Sequence, residues 1–229
     1  MQQFVIDGIA NPDDRSRAID EIPQSADGKT IMTTQPRFVP NEAVRVSVGE
    51  NIAVNMRLID CVGYLVDGAL GAEEDGKERM VSTPWSSEDM PFSKAAEIGT
   101  QKVIKEHSTI ALAVTTDGSF GSISRQDYVK AEERVISELK ECKKPFVIVL
   151  NVADVNAQSA LDLKDELEKK YDAPVIVKNA LTLDENDISE ILETILLEFS
   201  VKTIDFDLPR WVQALPMDCD VVREIVDRV

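Results

Sequence analysis

Val54-Asn55-Met56-Arg57-Leu58-Ile59-Asp60-Cys61-Val62-Gly63 reads as a buried strand that ends in an Asp-x-x-Gly turn, the only such turn in the chain. A carboxylate at a strand end can hold the water shell of Mg²⁺, and a glycine three residues later lets a backbone N–H approach a terminal phosphate. Just upstream, Ala43-Val44-Arg45-Val46-Ser47-Val48 alternates as a half-buried strand does. Gly49-Glu50-Asn51 supplies a turn, so Ile52 to Asp60 is expected to form the second arm of a hairpin.

Downstream the pattern becomes regular. Phe92, Ala95, Ala96, Gly99 and Val103 mark one helix face. Thr109 to Thr116 is a near-continuous apolar strand, of the kind a parallel sheet covered on both faces requires. A helix follows with Tyr128, Ala131, Val135, Ile136 and Leu139 on one side, then a strand at Pro145 to Leu150. Ala160, Leu163 and Leu167 mark a further helix, Pro174 to Val177 a short strand, and Ile188, Ile191, Leu192, Ile195, Leu196 and Phe199 a strong helical stripe. Strands alternating with helices predict an α/β fold with a doubly wound, mostly parallel sheet, the early hairpin adding an antiparallel edge. The remaining stretches read less regularly. Met1 to Ile9 could end a helix begun upstream, Pro12 to Ile22 reads as helix, and Gln24 to Asn41 as a loop broken by Pro36 and Pro40. Val62 to Pro91, with its glycines and prolines, reads as one long irregular segment. Thr203 to Leu208 could form one more strand, and Pro209 to Val229 starts something different.

Composition narrows the function. The 229 residues carry a net charge of −17, which argues against nucleic acid, whose binding rests on clustered Lys and Arg. Three widely spaced cysteines without a CxxC pair suit a reducing compartment. No run approaches the ~20 apolar residues of a membrane span, and the N-terminus lacks the basic region of a secretory signal. A single histidine, His107, makes multi-histidine metal catalysis and a histidine-based hydrolase triad poor readings; at a helix C-terminus it suits a structural role.

The phosphate cradle is the puzzle. P-loop nucleotidases pair the Asp-x-x-Gly turn with an earlier Gly-x-x-x-x-Gly-Lys-Ser/Thr loop, and none occurs here. Gly28-Lys29-Thr30 is not one: Pro23 stands where the first glycine belongs, and Ile31 to Pro36 is no helix start. Thr33 and Thr34, ahead of Asp60, fit a switch whose hydroxyl or carbonyl joins the Mg²⁺ shell when the terminal phosphate is present. Asn151-Val152-Ala153-Asp154 follows the strand at Pro145–Leu150, where guanine-specific nucleotidases carry Asn-Lys-x-Asp; the same residues also suit a plain helix N-cap. Cys61 reads as a packed thiol, Trp85 as a docking residue or a loop anchor, and the acidic residues from Glu132 to Glu141 as a solvated face.

Longer stretches carry a resemblance. Glu21 to Ser25, Gly28 to Asn41 (GKTIMTTQPRFVPN), Asp60 to Tyr64, Ala95 to Thr100, Glu106 to Thr109, Thr115 to Gly118, Ala131 to Ile136 and Lys144 to Phe146 are similar to the stage IV sporulation protein A family of spore-forming bacteria, over about residues 11 to 211. The resemblance implies a P-loop NTPase-like fold of the translation-factor GTPase class, here with its first strand and Walker A loop absent. It implies a cytoplasmic mother-cell ATPase that uses ATP and Mg²⁺ and polymerises into the basement layer of the spore coat at the forespore surface. Its implied partners are its own copies, a small amphipathic membrane-anchoring protein and coat proteins. By position, Thr33, Thr34 and Asp60 carry over as catalytic residues, Thr34 and Asp60 as the metal side, with Gly63 beside them as a nucleotide contact; Asn151 and Asp154 are read as nucleotide contacts from the guanine-type motif, which the family lacks in full.

The implied P-loop would precede Met1, so residues 1–202 are expected to be a truncated nucleotidase domain and 203–229 the start of a linker or middle domain. Without the loop, this chain is expected not to hydrolyse ATP. In this class the strand before the P-loop lies mid-sheet, and its loss is expected to leave two unpaired edges in an apolar interior. Two other readings stand beside this one. The first is a nucleotide-independent scaffold. The second is a guanine-specific switch, because Asp154 partly restores the guanine motif.

Overall fold

The structure is a computed structural model that describes residues 37–48, 52–69, 73–74, 76–83 and 86–199, with residue 15, residues 215–216 and 219–227. The segments read as Met1–Ile9 and Thr203–Leu208 lie outside them. So do Gly28-Lys29-Thr30, Thr33, Thr34, Trp85 and the turn Gly49-Glu50-Asn51. Of Pro12–Ile22 only Arg15 is described, and it is helical.

β1 (Arg37–Val48) and β2 (Ile52–Asp60) form the expected antiparallel hairpin, with Val48 opposite Ile52 and Arg37 opposite Asp60. β1 starts inside the segment read as loop. Its register shifts between Val39 and Val44, a bulge that spans Pro40. Bulges accept a proline because the extra residues leave the hydrogen-bonding ladder. The bulge also reverses the alternation, so Val39 and Val46, of opposite parity along the chain, are both buried.

The segment Val62–Pro91 is not wholly irregular. β3 (Glu73–Glu74) pairs with β4 (Lys77–Glu78), and β5 (Met80–Thr83) with β6 (Ser86–Pro91). The strands are two to six residues long and mostly exposed, so no apolar alternation marks them.

α1 (Phe92–Lys102) buries Phe92, Ala95, Ala96 and Gly99 as the sequence predicts, then widens into a π turn over Val103–His107. At its end His107 packs edge-on against the Phe38 ring, centroids 5.5 Å apart. β7 (Ala111–Thr116), α2 (Arg125–Glu141), β8 (Phe146–Asn151), α3 (Gln158–Tyr171), β9 (Val175–Lys178) and α4 (Glu185–Leu197) follow in strict alternation. The three strands form a parallel sheet in the order β7-β8-β9.

Both faces of this sheet are covered. Phe146, Ile148 and Leu150 meet Ile136 and Leu139 of α2 and Ala160, Leu167 and Tyr171 of α3. Val147 and Val149 point the other way, to Ile191 and Ile195 of α4. Neighbouring positions of α4, Ile188 and Leu192, instead hold Val54 and Met56 of β2. One helix thus covers the parallel sheet and the hairpin together. Three expectations are corrected. The hairpin is not continuous with β7–β9 among the described residues but stands as its own two-stranded sheet. β7 is an edge strand among the described residues, and its Val114 is 65% exposed where a strand covered on both sides was expected. Phe199, read as part of the α4 stripe, lies past the helix and is exposed.

The chain divides at Phe199/Ser200, and the smaller unit contains α5 (Asp220–Asp227). Among the described residues, no helix is long and apolar enough to cross a membrane.

Candidate functional site

Asp60 closes β2 and is exposed. The backbone then turns sharply: Gly63 has φ +80°, with nothing within 4 Å of where a Cβ would stand. That is the space a close-approaching phosphate needs, and the positive φ explains why glycine occupies the position. Cys61 lies between them with its side chain turned inward. Burial pushes its thiol pKa up, while the Gly63 backbone N–H and the Thr100 hydroxyl face its sulfur. The thiol stays neutral, as expected of a packed cysteine. All three cysteines are free.

Tyr64, the next residue, is gripped from two helices. Its hydroxyl donates to Glu138 of α2, and the Arg134 guanidinium lies 4.0 Å from its ring centroid. Arg134 also binds Glu97 of α1, and Gln101 of α1 donates to Glu138 at 3.2 Å.

A second cluster forms at the C-terminal ends of the parallel strands. Asn151 ends β8, and its side-chain oxygen accepts the Ala180 N–H at 2.8 Å. Asn179 donates to the Ala153 carbonyl at 3.1 Å. The Ser119 hydroxyl donates to Asp117 and accepts the Ala153 N–H at 2.9 Å. The loops after β7, β8 and β9 are thereby tied into one rim. Asp154 belongs to that rim but caps no helix: α3 begins after Ala157, and the Asp154 carboxylate accepts the Asn156 N–H at 2.9 Å in a local turn. The structure therefore groups Asn151 with Asp154, and groups Asp60 with Gly63 separately.

A third group, centred on α2, is a network that sequence reading missed. Glu132, assigned to a solvated face, is buried. Arg125 grips it with two nitrogens at 2.7 and 2.9 Å, and Thr115 and Tyr171 donate to it at 2.6 and 2.7 Å. Burial opposes its ionisation, but the Arg125, Thr115 and Tyr171 hydrogen bonds outweigh that and hold its pKa below the usual value. The signal was available: Arg125, Tyr128, Glu132, Val135, Ile136 and Leu139 recur at helical spacing on the core stripe of α2. Gly118 abuts this network, and a Cβ there would stand 2.7 Å from the Arg125 backbone nitrogen. Among the described residues no group of three or more His, Cys, Asp or Glu could hold a metal by itself.

The profile of the family described as stage IV sporulation protein A, ATPase domain, matches residues 1–200. The chain belongs to this family. The sporulation protein A of Clostridioides difficile (strain 630) is 51% identical over 215 residues, and that of Bacillus subtilis (strain 168) 50% over 215 residues. In each case the alignment covers 94% of this chain but 44% of the relative, so the chain spans less than half the length of the curated relatives it matches. The protein is therefore a sporulation protein with an ATPase-family domain, as the resemblance implied. No solved structure matches it.

Proposed function

We propose that residues up to Phe199 form the nucleotide-handling domain of a sporulation ATPase with a P-loop NTPase-like fold. The carrying observation is the exposed Asp60 at a strand end, followed by Gly63 at φ +80° with open space at its Cβ position. A Mg²⁺–ATP complex suits these residues. Asp60 would take the water shell of the metal with Thr34, and the Gly63 N–H would turn from the Cys61 sulfur toward the terminal phosphate. A sulfur is a weak acceptor, so that exchange costs little. Mg²⁺ held there would supply charge neutralisation at the phosphates, which together with positioning is most of what phosphoryl transfer requires. Thr33 is the second switch candidate.

The rim formed by Asn151, Asp154 and the Asn179–Leu181 loop lies beyond the C-terminal ends of parallel strands, where α/β sheets bind ligands. Leu181 is 82% exposed there, an apolar side chain available to the flat face of a base. Loss of the motif lysine to Val152, which is fully buried, supports adenine over guanine. Asp154 keeps a guanine-specific switch as the second reading. In the cell, the ATPase reading extends to ATP-driven assembly into the coat basement layer at the forespore surface in the mother cell. Its partners there are its own copies, a small amphipathic anchor and coat proteins.

The test is equilibrium binding of Mg²⁺·ATP and Mg²⁺·GTP to this 229-residue chain, beside a version extended upstream of Met1. Binding of ATP by the extended version alone supports a nucleotidase whose cradle precedes this sequence. Tighter binding of GTP selects the second reading, and no binding by either version leaves a scaffold.

A further inference from the structure

We propose that Tyr64 is a positioning residue for this site, holding the Asp60–Gly63 turn in its metal-facing geometry through a latch made with Arg134, Glu138 and Glu97. The proposal rests on the ATPase reading above. Four observations carry it.

The turn is anchored on both sides of Gly63. Cys61 is packed inward toward Thr100 of α1, and Tyr64 is clamped between α1 and α2. With Gly63 between them at φ +80° and no side chain, the turn has little stiffness of its own, so the anchors set where Asp60 and the Gly63 N–H point.

The Tyr64 latch is also more than one contact. The phenol donates to Glu138, and its ring takes the guanidinium charge on its face. Arg134 joins the same Glu138 at 3.5 Å while holding Glu97 of the other helix. Glu138 accepts a third partner, Gln101. Removal of the phenol therefore takes one donor from Glu138 and the ring from under Arg134, and loosens both at once.

Charge completes the argument. Glu138 has a side chain 13% exposed and would sit uncompensated beside Tyr64 without its donors. With Arg134, Gln101 and Tyr64 on it, the carboxylate is held on the helices, and the phenol that it fixes holds the turn with it.

The latch also joins parts that differ in permanence. α1 and α2 are anchored in the core through Phe92, Ala95, Ile136 and Leu139, whereas the loop they hold is half-buried to exposed. Core-anchored helices that grip a less buried turn make a preorganising device.

The experiment compares wild type, Tyr64→Phe, Tyr64→Ala and Glu138→Gln in the longest form that the gene encodes. Two readouts are taken: amide hydrogen exchange of residues 60–64, and ATP turnover against Mg²⁺ concentration. In Tyr64→Ala, exchange across the turn should speed by about tenfold or more, kcat should fall by about tenfold, and the Mg²⁺ concentration for half-maximal rate should rise several-fold. The KM for ATP should change by less than about threefold. Tyr64→Phe, which keeps the ring under Arg134, should recover part of the rate, and Glu138→Gln, which keeps an acceptor, more of it. Unchanged exchange in Tyr64→Ala overturns the latch. Faster exchange with unchanged kcat and Mg²⁺ dependence overturns the positioning role and leaves a structural clasp. A wild type that turns over no ATP overturns the ATPase reading instead, while the exchange data still decide whether the latch exists.

Discussion

At the scale of single residues, Glu132 decides most. It is a carboxylate inside a core, held by a two-pronged arginine and two hydroxyls. Removal of such a partner leaves a buried charge without compensation, which costs about 3–5 kcal/mol. Glu132→Ala should therefore lower the unfolding free energy by about that amount in urea titrations, with the loss shared by Arg125→Ala. The pH dependence has a definite sign. The folded-state pKa of Glu132 lies below its ordinary value, so its contribution is complete above the ordinary carboxylate range and fades as pH falls through the folded value. The urea midpoint of the wild type should drop more steeply below about pH 4.5 than that of Glu132→Gln. Equal slopes would show that this carboxylate does not carry the acid sensitivity. Gly118 makes a second residue-scale prediction. At φ +84° and with 2.7 Å to the Arg125 nitrogen, it has no room for alanine. Gly118→Ala should destabilise by roughly 1–3 kcal/mol, whereas Gly63→Ala, in open space, should cost only the left-handed backbone term of about 1 kcal/mol.

At the scale of elements, α4 carries a double duty that can be separated. Its start is fixed by a reciprocal cap, in which Asp184 accepts the Asp187 N–H at 2.9 Å and Asp187 accepts the Asp184 N–H at 3.1 Å. Beyond the cap, Ile191 faces β8 and β9 while Leu192 faces β2. Each truncation to alanine should cost about 2–5 kcal/mol, but hydrogen exchange should differ. Leu192→Ala should loosen Val54 and Met56 of the hairpin first, and Ile191→Ala the β8–β9 pair. Identical patterns would mean that the two sheets open as one unit. The elements that sequence reading found were those with a strong period: the β8 run Phe146–Leu150, buried on both faces, and the stripes of α1 and α4. The elements it missed lack one. Pro40 hid the start of β1, because a proline argues against a strand unless a bulge receives it. The strands between Glu73 and Pro91 are too short and exposed for alternation to appear. Glu132 was misread because charge was weighed and helical position was not. Tyr64 could be quoted as part of a motif, but its partners on two helices are set by tertiary packing alone.

At the scale of the whole molecule, the outer edge of β7, unpaired among the described residues, is the exposed risk. Val114 stands 65% exposed on a strand with no partner on its outer side among the described residues. Unpaired apolar edges recruit other chains. Val114→Lys should reduce light scattering of concentrated 229-residue chain while its unfolding free energy changes by less than about 0.5 kcal/mol. Undiminished scattering would place self-association elsewhere. The alternation of strands and helices was legible because each strand must be apolar to be sandwiched. The separation of the hairpin from the parallel sheet depends on which strands meet, and no local pattern reports that.

α2 is one 17-residue rod, about 25 Å long. Near its start Arg125 donates to Thr115 of β7 at 3.2 Å, and further along Arg134 and Glu138 hold Tyr64. If occupation of one end tilts this rod, the other end must feel it, and thermodynamic reciprocity then fixes the size of the reply. Whatever factor Mg²⁺ adds to the affinity for a nucleoside, the nucleoside must return to Mg²⁺. The choice of base and the strength of metal binding would then be two readings of a single coupling constant.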